Sequence, residues 1–150
     1  DDLGTGRWRK LVWNIPYNGL SVVLDAGTDE LMADPSTRAL VEDLMREVVA
    51  GAGACGHPID PAFVGKMLED TDRMTPYAPS MKLDHDAGRP MEIEAIYAAP
   101  TRAARAAGAP MVGTETLLRQ LAELEHKNVA PERKSFFEKV KEYFAPEPTT

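Results

Sequence analysis

Residues 8–25 read WRKLVWNIPYNGLSVVLD, and this stretch sets the fold class. Leu11, Ile15 and Val22 recur at the spacing of one face of an α-helix, whereas a half-buried strand would alternate apolar and polar residues. Pro16 lacks the N–H that a helix interior needs, so we expect a kink at this position. Gly27 is the expected stop. The stretch therefore predicts one long helix over residues 8–25.

Helical spacing continues along the rest of the chain, with prolines and glycines at the ends of segments. Asp34 before Pro35 and Asp60 before Pro61 are typical helix starts, since aspartate caps the first turn and proline is tolerated there. Ser80 is a third candidate cap. The alternation of β-branched residues that sheets require is missing, so we predict an all-α domain. The further predicted helices cover residues 34–56, 61–74, 81–87, 92–108, 114–124 and 131–144.

The composition narrows the class of protein. The chain has 150 residues, and its 17 basic and 24 acidic side chains give a net charge of −7, which argues against a nucleic-acid partner. No apolar run approaches the ~18 residues of a membrane span, so no membrane partner is expected. Cys55 is the single cysteine and fits a reducing compartment. We therefore expect a cytoplasmic protein.

Two kinds of ligand site are missing from the sequence. A dinucleotide site needs a glycine-rich turn between a strand and a helix, but Arg9 stands where the third glycine after Gly4 and Gly6 would belong. No Rossmann domain is therefore expected in this chain. The three histidines are scattered without metal-ligand spacing, so no metal site is predicted.

The first candidate site is a polar stripe in the apolar first helix. Lys10, Asn14 and Asn18 are spaced i, i+4 and i+8, so a helix projects them from one face. An ammonium and two carboxamides can bind a carboxylate and a neighbouring carbonyl, and the lysine can protonate a developing alkoxide. A solvated helix face explains the same spacing, and periodicity does not decide between the two interpretations.

Ser80 and Glu92 are the second pair of candidates. Ser80 ends the proline-rich loop at residues 75–80, and Glu92 follows the turn at residues 88–90. Each has an ordinary structural role available, because Ser80 can cap a helix and Glu92 can be a first-turn carboxylate favoured by the helix dipole. Position in the sequence leaves both possibilities open.

An ordered set of motifs is more specific than any of these residues alone. The chain resembles the C-terminal helical domain of the ketopantoate reductase family over roughly residues 8–124. The motifs are KLVWN at 10–14, Asn18, PSM at 79–81, Asp84, GRP at 88–90, EIEAI at 92–96 and AGAP at 107–110. The resemblance implies the 6-phosphogluconate dehydrogenase C-terminal-like fold for residues 1–125, with residues 126–150 as an added C-terminal segment.

The resemblance also implies a function. It implies an N-terminal Rossmann domain, outside this chain, that binds NADPH, and a homodimer that reduces 2-dehydropantoate to pantoate for pantothenate and coenzyme A synthesis. This chain would then be a C-terminal half that is inactive without its N-terminal domain. Lys10 matches the catalytic lysine, Asn14 and Asn18 the carboxamides that orient lysine and substrate, and Ser80 the hydroxyl that binds the substrate carboxylate. Glu92 matches the carboxylate that engages the substrate hydroxyl, with a possible cofactor contact.

Two other functions remain open from the sequence. One is a related reductase of another 2-keto or 3-hydroxy acid, and the other is a non-catalytic helical interaction module. The chain departs from the family pattern at Pro16, at Gly19 where proline is common, and at Tyr77, whose bulk is expected to reshape the substrate pocket.

The tail beyond residue 124 has no counterpart in the resemblance. Its pattern predicts a docking helix that adds to a dimer contact, followed by a disordered stretch at residues 146–148. The apolar face of this helix comprises Phe136, Phe137, Val140, Tyr143 and Phe144.

Overall fold

The computed structural model describes the backbone of residues 2–143 and the side chains of residues 4–128. Within these residues all regular structure is helical, which confirms the predicted all-α class. The elements are α1 (Asp2–Val23), α2 (Thr28–Ala33), α3 (Pro35–Ala54), α4 (Ala62–Arg73), α5 (Ser80–Asp86), a π-helical turn (Glu94–Ala98), α6 (Ala99–Ala106) and α7 (Val112–Tyr143). None of these helices combines the length and apolar character needed to cross a lipid bilayer.

Helix α1 is the centre of the domain. It begins six residues earlier than the predicted segment and continues through Pro16 to Val23. Its residues 15–22 are all buried, and the helix packs against α3, α5 and α7. This buried part of α1 must satisfy its polar groups inside the protein, because little water reaches them. The side chains that α1 contributes to the core are Trp8, Val12, Ile15, Tyr17, Leu20 and Val22.

Tyr97, from the π-helical turn, binds the backbone of α1 next to Pro16. The Tyr97 hydroxyl donates a hydrogen bond of 2.7 Å to the carbonyl oxygen of Ile15. Burial raises the pKa of Tyr97 above its ordinary value, so the hydroxyl keeps its proton at neutral pH. A π-helical turn re-aims one side chain relative to an α-helix, and here the re-aimed side chain holds α1.

Gly19 allows this contact to form. A Cβ atom at Gly19 would lie 2.5 Å from Leu117 Cδ2 and 2.6 Å from the Tyr97 hydroxyl oxygen. Residue 19 therefore has no room for a side chain, because Tyr97 and α7 come directly against the α1 backbone.

The predicted starts at Asp34 and Asp60 are confirmed, whereas the separate helix predicted from residue 131 is wrong, because α7 continues through that position. The Asp34 carboxylate accepts the Ser36 N–H at 2.8 Å at the start of α3, and the Asp60 carboxylate accepts the Ala62 N–H at 2.9 Å before α4. The predicted start at Thr114 is wrong, because α7 begins at Val112. Helix α2 was not predicted at all, since six residues are too short to show a helical period.

The N-terminus of α7 is capped from a distance. The Glu47 carboxylate of α3 accepts the N–H groups of Gly113 at 3.0 Å and Thr114 at 2.7 Å. A carboxylate at this end also complements the helix dipole. The cap comes from a residue 66 positions away in the sequence, so local patterns do not reveal it.

The predicted boundary between residues 125 and 126 falls within the continuous helix α7, and the division into two segments stays a prediction. The helix covers most of the predicted 131–144 segment. The side chains of its predicted apolar face, and residues 146–148, lie outside the described residues.

We predict that Gly19→Ala lowers the free energy of unfolding by about 1–3 kcal/mol, because the new methyl group overpacks the contact with Leu117 and Tyr97. Chemical denaturation of the chain measures this change. Gly6→Ala is the matched control in the same helix, since a Cβ there meets nothing within 4 Å and should stabilise α1 by about 0.5–1 kcal/mol. Equal effects at the two glycines would contradict the close approach at Gly19.

Candidate active site

The predicted polar stripe of α1 runs from the surface into the protein. Lys10 is exposed, Asn14 is half-buried and Asn18 is only 3% exposed. Lys10 forms no ion pair with any side chain in the described range, so its ammonium group is available to a ligand. A solvated helix face does not account for the buried end of this stripe.

Asn18 connects the stripe to α5. Its Oδ1 atom accepts a hydrogen bond of 3.2 Å from the backbone N–H of Met81. Its Nδ2 group has no partner among the described residues. This donor is not among the fully buried unpartnered atoms of the described residues, so it remains accessible to a ligand group. The structure therefore brings the polar stripe to the residue that follows Ser80.

Ser80 is the first residue of α5, and the predicted role as a helix cap is wrong. Pro79 precedes the helix in extended conformation, and the Ser80 side chain makes no capping hydrogen bond. Because Ser80 has helical geometry, its hydroxyl is not directed back at the N–H groups of its own first turn. The hydroxyl is exposed, next to the Met81 N–H that Asn18 binds, and can donate to a bound anion.

Sequence reasoning missed the ionic lock that fixes α5 to the end of α1. The buried Lys82 places its Nζ 2.6 Å from Asp25 Oδ1 and 2.6 Å from Asp86 Oδ2. Hydrogen bonds to the two carboxylates raise the pKa of Lys82, and the hydrogen bond from Lys82 lowers the pKa of Asp25. Asp25 has a left-handed backbone (φ 50°), so the lock also holds a strained turn.

The i, i+4 spacing of Lys82 and Asp86 was a visible sign of one half of this lock. Asp84, whose partner the sequence left open, binds Arg89 at 3.0 Å.

The loop before Ser80 is fixed at Tyr77. The Tyr77 ring stacks on Trp13, with ring centroids 6.0 Å apart and planes 13° from parallel. The backbone of Tyr77 also exchanges hydrogen bonds with Thr28 at 3.4–3.5 Å. The loop therefore leads into Ser80 with little freedom.

Glu92 is an exposed carboxylate at the start of the segment that packs on α1. Its neighbour Glu94 is paired with Arg102, whereas Glu92 has no ion pair among the described residues. The Glu125 carboxylate of α7 accepts the Met91 N–H at 2.7 Å and so fixes the backbone next to Glu92. Tyr97 ties the same segment to α1.

The five predicted residues are taken together as the candidate substrate face, although among the described residues direct contact joins only Asn18 to the start of α5, beside Ser80. Lys10 and Glu92 are unpaired charges on α1 and on the segment that Tyr97 ties to α1. An ammonium, amide donors, a hydroxyl and a carboxylate can bind an acid that also carries a carbonyl and a hydroxyl group. Within residues 4–128 no cluster of three or more His, Cys, Asp or Glu side chains is arranged to hold a metal ion.

The chain is similar to known proteins over most of its length. Residues 2–125 match the family model described as ketopantoate reductase PanE/ApbA C terminal. The chain is 53% identical over 128 residues to the 2-dehydropantoate 2-reductase of Nostoc sp., which is 85% of this chain and 40% of that protein. It is 29% identical over 118 residues to the 2-dehydropantoate 2-reductase of Mesorhizobium japonicum, which is 36% of that protein.

Solved structures agree with this match. The 2-dehydropantoate 2-reductase of Geobacter metallireducens superposes with a TM-score of 0.78 at 42% identity, over 81% of this chain and 41% of that chain. The enzyme from Methylococcus capsulatus has the same TM-score at 34% identity, over 83% of this chain and 40% of that chain. The chain thus spans about two fifths of the length of these relatives.

A second, shorter match covers the end of the chain. Residues 115–145 match the family model described as chaperone protein DnaJ C-terminal region. Over 34 residues the chain is 56% identical to the chaperone protein DnaJ of Rhodopirellula baltica, which is 23% of this chain and 9% of that protein. The end of α7 therefore lies beyond the first family match and resembles a different protein.

We predict that Lys82→Met weakens the lock between α1 and α5 in a pH-dependent way. The pKa of Asp25 lies below its ordinary value of 3.8, so the ionic stabilisation is present at neutral pH and is lost as the pH falls through the lowered pKa. The variant should therefore unfold more easily than wild type at about pH 7, and the difference should shrink at about pH 3.

Urea denaturation of both proteins at the two pH values measures this effect. Lys66→Met is the matched control, because Lys66 is exposed on α4 and forms no ion pair with a described residue. A wild-type advantage that is the same at both pH values would contradict the ionic lock.

Proposed function

The chain belongs to the ketopantoate reductase family, and from this premise we propose that it is the substrate-binding and catalytic half of a reductase that converts 2-dehydropantoate to pantoate. The observation that carries the proposal is the hydrogen bond between Asn18 and Met81. It joins the stripe that contains Lys10 to the helix that begins at Ser80. The catalytic and carboxylate-binding groups that the reaction needs thereby lie on two fixed elements.

The arrangement suits a substrate with a carboxylate next to a ketone. The Ser80 hydroxyl and the unpartnered Nδ2 of Asn18 are donors for the carboxylate. Asn14 lies one helical turn from both Lys10 and Asn18 and orients the lysine and the ketone. Glu92 is an unpaired acceptor, so it can bind the hydroxyl group at the far end of the substrate.

Lys10 has the properties that a proton donor needs. As the ketone carbon is reduced, negative charge develops on its oxygen, and an ammonium group beside that oxygen stabilises the transition state more than the ground state. Lys10 Nζ then gives a proton to this oxygen. Because Lys10 is exposed, it can regain the proton from water.

The hydride must come from a nicotinamide cofactor, which we propose to be NADPH. All regular structure among the described residues is helical, without a strand followed by a glycine-rich phosphate-binding turn, so these residues do not fit a complete dinucleotide site. We assign cofactor binding to an N-terminal Rossmann domain, with Glu92 as the residue of this chain that can reach the cofactor. Substrate then binds in the cleft between the two domains. Cytoplasmic localisation is part of this proposal.

We predict that Lys10→Ala, in the full-length protein that contains this chain, lowers kcat for 2-dehydropantoate roughly 100- to 10,000-fold, because the reaction loses its proton donor. NADPH oxidation followed by absorbance measures the rate. Lys66→Ala is the control, since it removes an exposed lysine from a helix outside the site and should leave the rate unchanged.

Three other results would change the proposal. Full activity of Lys10→Ala would contradict the role of Lys10. Wild-type activity on a different 2-keto acid alone would keep the chemistry and change the substrate. Inactivity of the folded wild type on every 2-keto acid and related 3-hydroxy acid would favour a non-catalytic interaction module.

We also propose that the protein forms a homodimer to which the tail contributes. A ketopantoate reductase of Staphylococcus aureus that shares the fold is described as dimeric. In this chain the tail adds apolar residues at helical spacing beyond the family match. We predict that sedimentation of the full-length protein shows a dimer that is weakened by removal of residues 126–150. An unchanged mass after truncation would contradict the role of the tail.

A further inference from the structure

Two stacked aromatic rings lie close in sequence to residues of the candidate substrate face. Trp13 lies on α1, three residues after Lys10 and directly before Asn14. Tyr77 lies three residues before Ser80 and stacks on Trp13 at 6.0 Å. The stack therefore joins the two elements that carry the proposed lysine and serine.

Contacts with neighbouring residues fix the positions of both rings. Trp13 Nε1 donates a hydrogen bond of 3.1 Å to the Thr71 hydroxyl, and the Trp13 ring lies 4.7 Å from the ring of Tyr17. The Tyr17 hydroxyl in turn contacts the sulfur of Met32 at 3.1 Å. Because hydrogen bonds fix the Trp13 ring and the Tyr77 backbone, the two rings behave as a preformed wall.

The outer ring is left unusually open. The side chain of Tyr77 is 46% exposed, although it belongs to an otherwise well-packed aromatic cluster. Burial alone already raises the pKa of its hydroxyl, so Tyr77 stays neutral at physiological pH. A neutral ring with one covered face and one open face offers apolar contact to a ligand.

A cavity of about 250 Å³ lies next to the aromatic cluster. Three of its lining residues are the ones that hold the cluster: Thr28 binds Tyr77, Thr71 binds Trp13, and Met32 contacts Tyr17. Loss of the Tyr77 ring would therefore add space beside this cavity.

We propose that Tyr77, supported by Trp13, is a specificity-determining residue that limits the size of the substrate's C3 substituent. This inference rests on the proposed function. The two C3 methyl groups of 2-dehydropantoate pack on the open face of the Tyr77 ring, while the wall keeps bulkier 2-keto acids out of the cavity beside it. The preferred substrate class is thus a 2-keto acid with a compact, branched C3 carbon.

The test compares two substrates in the full-length protein and its Tyr77 variants. We expect Tyr77→Ala to lower kcat/KM for 2-dehydropantoate about tenfold, the value of burying roughly two methyl groups. The same variant should raise kcat/KM for phenylglyoxylate, whose ring can then reach the cavity. Tyr77→Phe keeps the ring and should match wild type on both substrates. Tyr77→Leu keeps an apolar side chain, so its kcat/KM values should lie between those of wild type and Tyr77→Ala.

The outcomes separate this inference from the proposed function. Suppose that the wild type reduces 2-dehydropantoate, but that Tyr77→Ala changes kcat/KM for the two substrates by the same factor or leaves both values unchanged. The specificity role of Tyr77 is then wrong, and the proposed function stands. If the folded wild type reduces no 2-keto acid, the proposed function fails and this inference fails with it. A loss in Tyr77→Phe equal to that in Tyr77→Ala would assign the effect to the hydroxyl and would overturn the apolar wall.

Discussion

The domain depends on one constraint: residues 15–22 of α1 are all buried, yet they include the polar Asn18. A buried amide is tolerated only where its hydrogen bonds are made, and Asn18 makes one of them with the backbone of Met81. That hydrogen bond sets the position of α5 relative to α1, and so the position of Ser80. Lys82 fixes the other side of α5 to Asp25 at the end of α1. The proposed site is therefore built into the packing of the core helix.

The departures from regular helix geometry are found next to this site. Pro16 has no N–H to donate within α1. Because Gly19 has no side chain, the Tyr97 hydroxyl comes close to the backbone of α1 and donates a hydrogen bond to the carbonyl of Ile15. The π-helical turn that presents Tyr97 also begins two residues after Glu92. Irregular backbone is often found at functional sites, where it directs a side chain that a regular helix would direct elsewhere. Here it keeps the Glu92 segment against the Lys10 helix.

The sequence predicted features that depend on neighbours in the chain. Helical spacing gave the all-α class, and Asp34 and Asp60 were identified as helix starts because a cap acts within one turn. The stripe of Lys10, Asn14 and Asn18 was visible for the same reason.

The features that the sequence did not predict are contacts between residues far apart in the chain. The pairing of Lys82 with Asp25 and the cap that Glu47 gives to α7 join residues 57 and 66 or more positions apart. The stack of Tyr77 on Trp13 is likewise a tertiary contact. For Ser80 the sequence left a helix cap and a ligand-binding role open, because serine before a helix is a common cap, and only the structure excludes the cap.

We propose that Lys10, Asn14, Asn18, Ser80 and Glu92 bind the substrate. A crystal structure of the full-length protein with oxidised cofactor and pantoate would show whether they do. We expect the pantoate C2 hydroxyl within hydrogen-bonding distance of Lys10 Nζ and its carboxylate at Ser80, with Asn18 Oδ1 still bound to the Met81 N–H. Pantoate bound away from these residues, or Asn18 released from Met81 to bind it, would overturn this assignment.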